Sequence, residues 1–563
     1  MPLDLAAMQA WRDADRDPAT ATALGNLLEK AAAGDAEASA ELADAFSGRL
    51  AFGTAGLRAP LGPGPNRMNR VVVSQAAAGL GRWLLDAGHA GEQVLIGYDA
   101  RYNSDVFARD TAEILAGLGL RPLLTETAVP TPVVAFGIGH LGCVAGVVVT
   151  ASHNPPADNG YKVYVGGSQI VPPTDVEIAE RIAAAASVPL EAHPRSAAYA
   201  FVGEELLAAY AERLASLVPA DAPRDLGWAY TPLHGVGAEV VARVLDRAGF
   251  PAPALVSEQA LPDPAFPTVA FPNPEEPGAM DLALELARAT DADVAIANDP
   301  DADRCAVAAV VDGQWRMLTG DELGWLLADD ALRRGTPGTY ACSVVSSTLL
   351  GDLAAAAGQP FAMTLTGFKW IGRVPGLAFG YEEAIGYCTD PAAVADKDGI
   401  STLLRVLALV ARLRADGLTL ADRLDEIART HGVHLTAQLS FRVEDLALIA
   451  DAMARLRART PDALVGEPVT ATDLLTGWNG LPATDGVLLE TARFRVVVRP
   501  SGTEPKLKCY LQVRLPRTAG EGEAEAVGQA AAVGEAAAVA VARAEAAGLM
   551  EQLRAEMAGA LGL

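Results

Sequence analysis

From about residue 50 onward, short runs of β-branched and small apolar residues alternate with longer Ala/Leu-rich stretches whose polar positions recur at helical spacing. VLIGYD (94–99), CVAGVVVTA (143–151), LGWAYT (226–231), ADVAIAND (292–299) and TYACSVV (339–345) read as strands. The stretches near 104–118, 237–249, 278–290 and 347–357 read as helices. Such a βαβ rhythm predicts a mostly parallel sheet covered by helices, here in two or three similar α/β units in series. Residues 1 to about 50 alternate small apolar and acidic residues at helical spacing, which predicts a helical extension. The Gly/Pro-rich segment from Phe52 to Pro65 interrupts the pattern and is expected to be a loop.

Near residue 434 the texture changes. HLTAQLSFRV and FRVVVRPSGTEPKLKCYLQVRL are closely spaced strand patterns, predicting a smaller α+β domain dominated by antiparallel pairing. Residues 517–547 are low-complexity Ala/Gly/Glu and are expected to form a loose insertion leading into a final helix. A length of 563 residues, at ~150 per domain, gives roughly four domains. The expected boundaries are a helical extension at 1–50 and domains at 51–207, 208–322, 323–432 and 433–563.

Composition narrows the function classes. With 51% hydrophobic and 20% charged residues the chain can bury several cores, unlike a disordered one. The net charge of −26 disfavours sequence-independent binding to nucleic acid or to an anionic membrane, so an anionic ligand would need local positive charge. The five cysteines, Cys143, Cys305, Cys342, Cys388 and Cys509, lie far apart with no C-x-x-C pair, which argues against a zinc knuckle or a disulfide framework. They are expected to be reduced and buried. The N-terminus lacks the basic start and apolar core of a secretory signal, and no apolar run reaches the ~18 residues of a spanning helix. A cytoplasmic protein with no nucleic-acid or membrane partner is the expectation.

Candidate chemistry sits at strand ends. Thr150-Ala-Ser-His-Asn-Pro155 follows an apolar run, which places Ser152 on an exposed loop at a strand tip. A hydrolase elbow would need glycines where Thr150 and Asn154 stand, so acyl transfer is disfavoured; a nucleophile and an ordinary turn both remain open. In Asn298-Asp-Pro-Asp-Ala-Asp-Arg304, Asp299, Asp301 and Asp303 occupy alternate positions after another strand. Two carboxylates 4 Å apart repel by ~4 kcal/mol at an effective dielectric near 20, a cost that a divalent cation removes. Counting from Asp299, Arg304 and Val310 stand where an EF-hand needs Gly and Glu. A magnesium site open to a phosphate oxygen fits better, with an exposed acidic turn as the alternative.

Arg499-Pro-Ser-Gly-Thr-Glu-Pro-Lys-Leu-Lys508 brings backbone amides around Gly502, two hydroxyls and three cationic side chains onto one loop. That is the composition of a phosphate cradle, although a β-turn with charged flanks reads the same way. Phe379-Gly-Tyr-Glu-Glu-Ala-Ile-Gly386 offers paired carboxylates to sugar hydroxyls but reads first as a solvated loop. Thr366-Gly-Phe-Lys-Trp370 and Asp396-Lys-Asp-Gly399 are weak in the same way.

In this order, G-T-A-G-L-R, T-A-S-H-N-P, D-P-D-A-D-R, the Glu-Glu loop and R-P-S-G-T-E-P-K resemble the α-D-phosphohexomutase superfamily over about residues 50–515. G-Y-D-A-R-Y-N-S (97–104), T-P-L-H-G-V-G (231–237), F-P-T-V-A-F-P-N-P-E-E (266–276) and T-G-F-K-W resemble its phosphoglucomutase/phosphopentomutase branch and carry no evident chemistry. The resemblance implies three similar mixed α/β domains and a C-terminal α+β, TATA-binding-protein-like domain around a central cleft. It implies that Ser152 carries a phosphoryl group and that Asp299, Asp301 and Asp303 hold Mg²⁺ against it. Arg58 and Lys162 match positions near the reacting hydroxyl, Lys397 matches another cleft lysine, and His153 flanks the serine. Arg304, Thr366, Gly367, Glu382 and Glu383 are implied in sugar binding, and Arg499, Ser501, Gly502, Thr503 and Lys508 in binding the phosphate not being transferred.

Two loops depart from the pattern. Tyr381 and Ala384 stand where glucose-specific members often carry glycine and serine, and Lys508 replaces a common arginine, exchanging a bidentate grip for a point charge. The implied activity is an isomerase that interconverts glucose 1-phosphate and glucose 6-phosphate through a phosphoserine, with glucose 1,6-bisphosphate as intermediate and activator. Phosphomannomutase, phosphopentomutase, a Mg²⁺-dependent phosphatase and a non-catalytic sugar-phosphate-binding regulator are the alternatives.

Overall fold

The computed structural model describes residues 4–50, 56–443, 445, 447–501, 506–517 and 529–562. Two compact units emerge: Met1–Ala306 with Asp390–Ala408, and Val307–Thr389 with Leu409–Leu563.

The first unit opens with helices Leu5–Ala14, Pro18–Ala32 and Ala36–Ala45, each capped by an aspartate, Asp4, Asp17 or Asp35, that accepts from first-turn amides. Met8, Leu24 and Leu42 form their core, with Trp11 set edge-on to Phe46 at 6.0 Å. The following sheet contains β1 (Leu57–Pro60), β2 (Gln93–Tyr98), β3 (Arg121–Thr125), β4 (Ala145–Val149), β5 (Asp158–Val165), β6 (Ser168–Gln169) and β7 (Ala200–Val202), in the order β1-β5-β4-β2-β3-β7 with β6 on β5. β2 runs parallel to β3 and β4, whereas β5 is antiparallel to β4 and β1 to β5.

The Phe52–Pro65 stretch is therefore not all loop. β1 lies inside it, because pairing with β5 satisfies the backbone of Leu57–Pro60 despite the flanking Gly and Pro. Gly56, at φ 85, permits the entry, since a Cβ there would lie 2.1 Å from the Tyr161 carbonyl oxygen. Val94, Ile96, Val147 and Val149 bury one face of the sheet together with Val73, Leu80 and Phe107 of the helices Arg70–Asp86 and Ser104–Gly117. Each such aliphatic burial stabilises the fold by about 1.5–3 kcal/mol.

Within the same unit, β8 (Trp228–Thr231) runs parallel to both β9 (Ala254–Leu255) and β10 (Val294–Asn298). β10 is buried along its whole length and delivers the acidic loop at its end. β11 (Cys305–Val311) starts here and crosses into the second unit after Ala306. Asp398 accepts from the amides of Ile400 and Ser401 at the start of the helix Gly399–Ala415, fixing the 396–399 turn in this unit.

In the second unit β11 forms an antiparallel hairpin with β12 (Gln314–Met317). β13 (Thr339–Ser343) lies parallel between β14 (Phe361–Thr364) and β15 (Leu377–Glu382), and β15 turns back on β16 (Gly386–Cys388). The Phe379–Gly386 segment is thus a hairpin, and the expected solvated loop is corrected: Tyr381 is fully buried and its hydroxyl donates to Asp321 Oδ1 at 2.7 Å.

The C-terminal part adds β17 (Val433–Arg442), the short pair β18 (Ala463–Leu464) and β19 (Glu467–Pro468), β20 (Thr470–Asp473), β21 (Val487–Glu490), β22 (Phe494–Pro500) and β23 (Lys506–Leu515). Its sheet is antiparallel, as the closely spaced strand patterns predict, and has the order β17-β23-β22-β21-β20. The final helix runs Gln529–Leu561, so helix replaces the expected loose insertion from residue 529 onward; residues 518–528 lie outside the described residues. Alanine is the best helix former, and Ala542, Ala546, Met550, Leu553, Met557 and Leu561 recur at helical spacing and are buried against the sheet. All five cysteines are free and buried. No helix among the described residues is long and apolar enough to cross a membrane.

Candidate active site

Ser152 and the acidic loop meet in the first unit. β4 ends at Val149, and Thr150 caps the turn by accepting the Ser152 amide on its Oγ1 at 2.8 Å. Ser152 takes φ 51, a left-handed conformation unusual for a serine, and is only 3% exposed, which corrects the expectation of an exposed serine. Its hydroxyl donates to Asp299 Oδ2 at 2.6 Å and lies 3.5 Å from His153 Nδ1.

Asp299, Asp301 and Asp303 are all buried, and each offers an oxygen within 4.8 Å of the others, so the exposed acidic turn is excluded. The loop is held by its backbone: Thr131 N–H donates to the Asp301 carbonyl at 2.9 Å, Val236 N–H to that of Pro300 at 2.9 Å, and Gly399 N–H to that of Ala302 at 3.2 Å. The Lys162 ammonium, carried by β5, donates to Asp301 Oδ2 and Asp303 Oδ2, each at 2.7 Å. Lys397 Nζ approaches Asp303 Oδ2 at 3.3 Å.

Burial raises the Asp299 carboxyl well above its ordinary range, with Asp301 and Asp303 adding to the effect. Burial acts the same way on Asp303, but Lys162, Lys397 and Arg304 outweigh it and hold that carboxyl far below the usual range. For Asp301, burial and Asp303 push upward, yet Lys162 and Thr131 leave it lowered. His153 is depressed by burial first and then by the guanidiniums of Arg304 and Arg58, so its ring is neutral.

The donor set fits a hard divalent cation. Asp301 Oδ1 and Asp303 Oδ1 are buried with no hydrogen-bond partner among the described residues, and three carboxylates are the ligand chemistry such ions take. Arg58, on β1, donates through Nη1 to Asn154 Oδ1 at 2.9 Å. Arg304 lies 3.9 Å from both Glu275 and Asp303. Four cationic side chains, Arg58, Lys162, Lys397 and Arg304, thus stand among three carboxylates, a setting that can take a phosphate dianion together with a divalent ion.

The remaining candidates lie in the second unit. Gly367, at φ 107, donates its N–H to Glu382 Oε1 at 2.7 Å, so the T-G-F-K-W and Glu-Glu segments meet; Thr366 immediately precedes that contact. Glu383 Oε2 accepts from Ser343 Oγ at 3.2 Å and Ser346 Oγ at 3.3 Å. Burial raises the Glu383 carboxyl, and Lys508 and Arg499 oppose the rise, which sets Glu383 and these two cations in one electrostatic neighbourhood. Arg499 and Lys508 face each other across β22 and β23, and the Ser501 amide donates to the Lys506 carbonyl at 2.8 Å. Gly502 and Thr503 lie outside the described residues.

Family models match along most of the chain. Phosphoglucomutase/phosphomannomutase alpha/beta/alpha domains I, II and III cover residues 49–188, 208–311 and 319–431, and the C-terminal domain of the same family covers 441–529. The chain belongs to the phosphoglucomutase/phosphomannomutase family. Family membership makes it an isomerase-type phosphotransferase with the four-domain phosphohexomutase architecture expected from the motifs.

Among curated relatives, a probable phosphomannomutase of Haemophilus influenzae is 47% identical over 458 residues, 79% of this chain and 93% of that protein. The human phosphopentomutase is 34% identical over 568 residues, 90% of each chain. The crystal structure of a putative phosphomannomutase from Thermus thermophilus aligns with a TM-score of 0.66 at 27% identity, over 83% of this chain and 96% of that one.

Sequence reasoning missed several family-site contacts. Thr131 is one, and its hydroxyl donates to Asp301 Oδ2 at 2.6 Å. The A-V-P-T-P stretch around Thr131 carries no chemical signature, since a threonine before proline is an ordinary helix start. Ser343 and Ser346 are hidden in the same way within an apolar strand ending.

Proposed function

We propose that this phosphomutase moves a phosphoryl group between the anomeric and the terminal hydroxyl of an aldose, with Ser152 as the carrier. One contact supports this reading above the others: a buried serine hydroxyl, in strained backbone, donates to a member of an aspartate triad that has spare oxygens. In the forward step the P–O bond to Ser152 Oγ breaks and a bond to a sugar hydroxyl forms. The proton of that hydroxyl ends on Oγ, in the Oγ–H to Asp299 arrangement seen here. Reversal of the step from the other phosphate of the sugar bisphosphate completes the isomerisation.

Asp299, Asp301 and Asp303 would hold Mg²⁺. When bound, the ion supplies charge neutralisation for the phosphoryl oxygens. Lys162 stays charged, because the pull of Asp301 and Asp303 outweighs the effect of burial, and it keeps the two carboxylates oriented. Arg58, bonded to Asn154 of the serine loop, presents a guanidinium beside the reacting group. By charge and hydrogen-bonding capacity, Arg499, Ser501 and Lys508 suit the phosphate that is not transferred, and Glu382 and Glu383 suit sugar hydroxyls.

A hexose is the first reading for the sugar, with glucose 1-phosphate as lead substrate and mannose 1-phosphate beside it. Ala384 favours a second reading, a pentose, because the turn lacks one hydroxyl for a sugar that itself has one fewer carbinol. The test is ³¹P NMR of glucose, mannose and ribose 1-phosphates incubated with enzyme, Mg²⁺ and a trace of glucose 1,6-bisphosphate. Conversion to the terminal phosphate is expected, fastest for one sugar, and absent in S152A. Accumulating inorganic phosphate would indicate a phosphatase, and binding without turnover a regulator; either result overturns the proposal.

A further inference from the structure

Arg101 belongs to the G-Y-D-A-R-Y-N-S stretch just beyond β2 and is 4% exposed. Its Nη2 donates to the carbonyl oxygens of Ser152 at 2.5 Å and Asn154 at 2.6 Å. Its Nη1 donates to those of Pro155 at 2.9 Å and Asp158 at 3.2 Å. One guanidinium therefore closes the serine loop on itself through main-chain oxygens alone.

The need for such a donor follows from the turn. With Ser152 at φ 51, the chain reverses tightly after β4 and directs these carbonyls inward, where water is scarce and unmet acceptors are costly. A planar, forked guanidinium spreads its N–H groups over several acceptors in fixed directions, whereas an ammonium presents its three donors from a single point. The fork is itself fixed. Asp99 Oδ2 lies 3.4 Å from Nε, while Asp99 Oδ1 accepts from the Arg101 amide at 3.0 Å and the Ser104 hydroxyl at 2.7 Å. The Phe266 ring packs on the guanidinium, 4.9 Å from centroid to carbon, and Phe266 opens the F-P-T-V-A-F-P-N-P-E-E stretch.

We propose that Arg101, held by Asp99 and Phe266, is a positioning residue for phosphoryl transfer: it touches no reacting atom but fixes the backbone from which Ser152 Oγ is aimed at Asp299. Two stretches without evident chemistry in the sequence thereby share one task. The proposal rests on the phosphoserine reading, and a misplacement of about 1 Å at the donor is enough to lower turnover about 100-fold.

The experiment compares wild type, R101K, R101Q and F266L in two measurements. The first is amide hydrogen exchange of peptides covering residues 150–160, which requires no catalysis. R101Q and R101K are expected to exchange there about tenfold faster, with peptides of the C-terminal sheet unchanged, and F266L to fall between them and wild type. The second is steady-state turnover on the preferred sugar 1-phosphate. We expect kcat to fall about 100-fold in R101K with KM within about threefold, and more sugar bisphosphate to escape per turnover, as loss of a transition-state alignment requires.

Should R101Q fail to fold, R101K, which keeps the buried charge beside Asp99, and F266L, which keeps all four carbonyl bonds, decide the matter. Unchanged exchange at 150–160 in R101K, or its kcat within about threefold of wild type, overturns the proposal. A wild-type enzyme inactive on every sugar phosphate would instead refute the phosphoserine reading, and the exchange data would still show whether Arg101 holds the loop.

Discussion

The Thr131 hydroxyl donates to Asp301 Oδ2 across 2.6 Å, and both residues are buried. Lys162 Nζ shares the same oxygen, at 2.7 Å, which leaves Oδ1 as the free donor atom of this carboxylate. The side chain that Thr131 fixes is thus the central one of the aspartate triad.

Replacing Thr131 with valine keeps the volume and removes the hydroxyl. Outer partners of metal ligands typically matter 10–100-fold, so T131V should weaken Mg²⁺ binding about tenfold. Titrating turnover against Mg²⁺ in wild type and variant checks this, and coincident curves would mean that Thr131 does not orient the site. Stability should drop by only about 1 kcal/mol, because Lys162 continues to satisfy Oδ2.

His434, on β17, gives a pH dependence in the second unit. Burial, followed by Arg514 and His431, pushes its pKa down to about 4 from an ordinary value near 6.5. Gln512 Nε2 donates to Nδ1 at 3.0 Å, and Asp352 lies 3.8 Å from Nε2. Between pH 4 and 6.5 the folded chain holds fewer protons on this ring than the unfolded chain, so stability rises with pH there and is lost on acidification. The loss from this group is on the order of 2–3 kcal/mol. H434Q retains an acceptor for Gln512 without titrating. Urea unfolding at pH 5 and pH 7.5 should show a smaller difference for H434Q than for wild type, and equal differences would contradict the assignment.

The sequence made the strand-tip motifs legible because their chemistry is local: Ser152, the alternate aspartates and the cationic loop each lie within ten residues. Burial was not legible. Ser152 reads as an exposed loop group and an exposed acidic turn stays open for the three aspartates, yet Thr131, Lys162 and Arg101, from distant segments, enclose them. β1 was hidden for a related reason, since its strand character comes from β5 as partner rather than from its own Gly/Pro-rich neighbours. Residues 529–547 were misread because low complexity masked the helix-forming strength of alanine and the apolar positions that dock the helix.

Gly320 tests how tightly the 383–385 turn is built. It is the first residue of the helix Gly320–Arg333, whose Thr319–Glu322 capping box fixes where the helix starts. A Cβ at Gly320 would lie 1.8 Å from the Glu383 carbonyl oxygen and 3.0 Å from the Ile385 nitrogen. Alanine is the better helix former, so any loss in G320A must come from displacing the 383–385 turn. Overpacking of this kind costs about 1–3 kcal/mol. Turnover should fall at least about tenfold as Glu383 leaves Ser343 and Ser346. Wild-type kinetics in G320A would show that the turn plays no part in sugar binding.

Ala384 addresses sugar choice directly. It sits in the turn between β15 and β16, beside Glu382 and Glu383, where a serine would add one hydroxyl. A single hydrogen bond contributes about 0.5–1.5 kcal/mol net, and 1.4 kcal/mol is a factor of ten. A384S should therefore raise kcat/KM for glucose 1-phosphate about three- to tenfold while leaving ribose 1-phosphate unchanged or slower. The ratio of the two values is the decisive quantity, because a general effect on folding or metal binding would move both together. If the ratio stays at its wild-type value, this turn does not select the sugar, and discrimination must come from elsewhere in the chain.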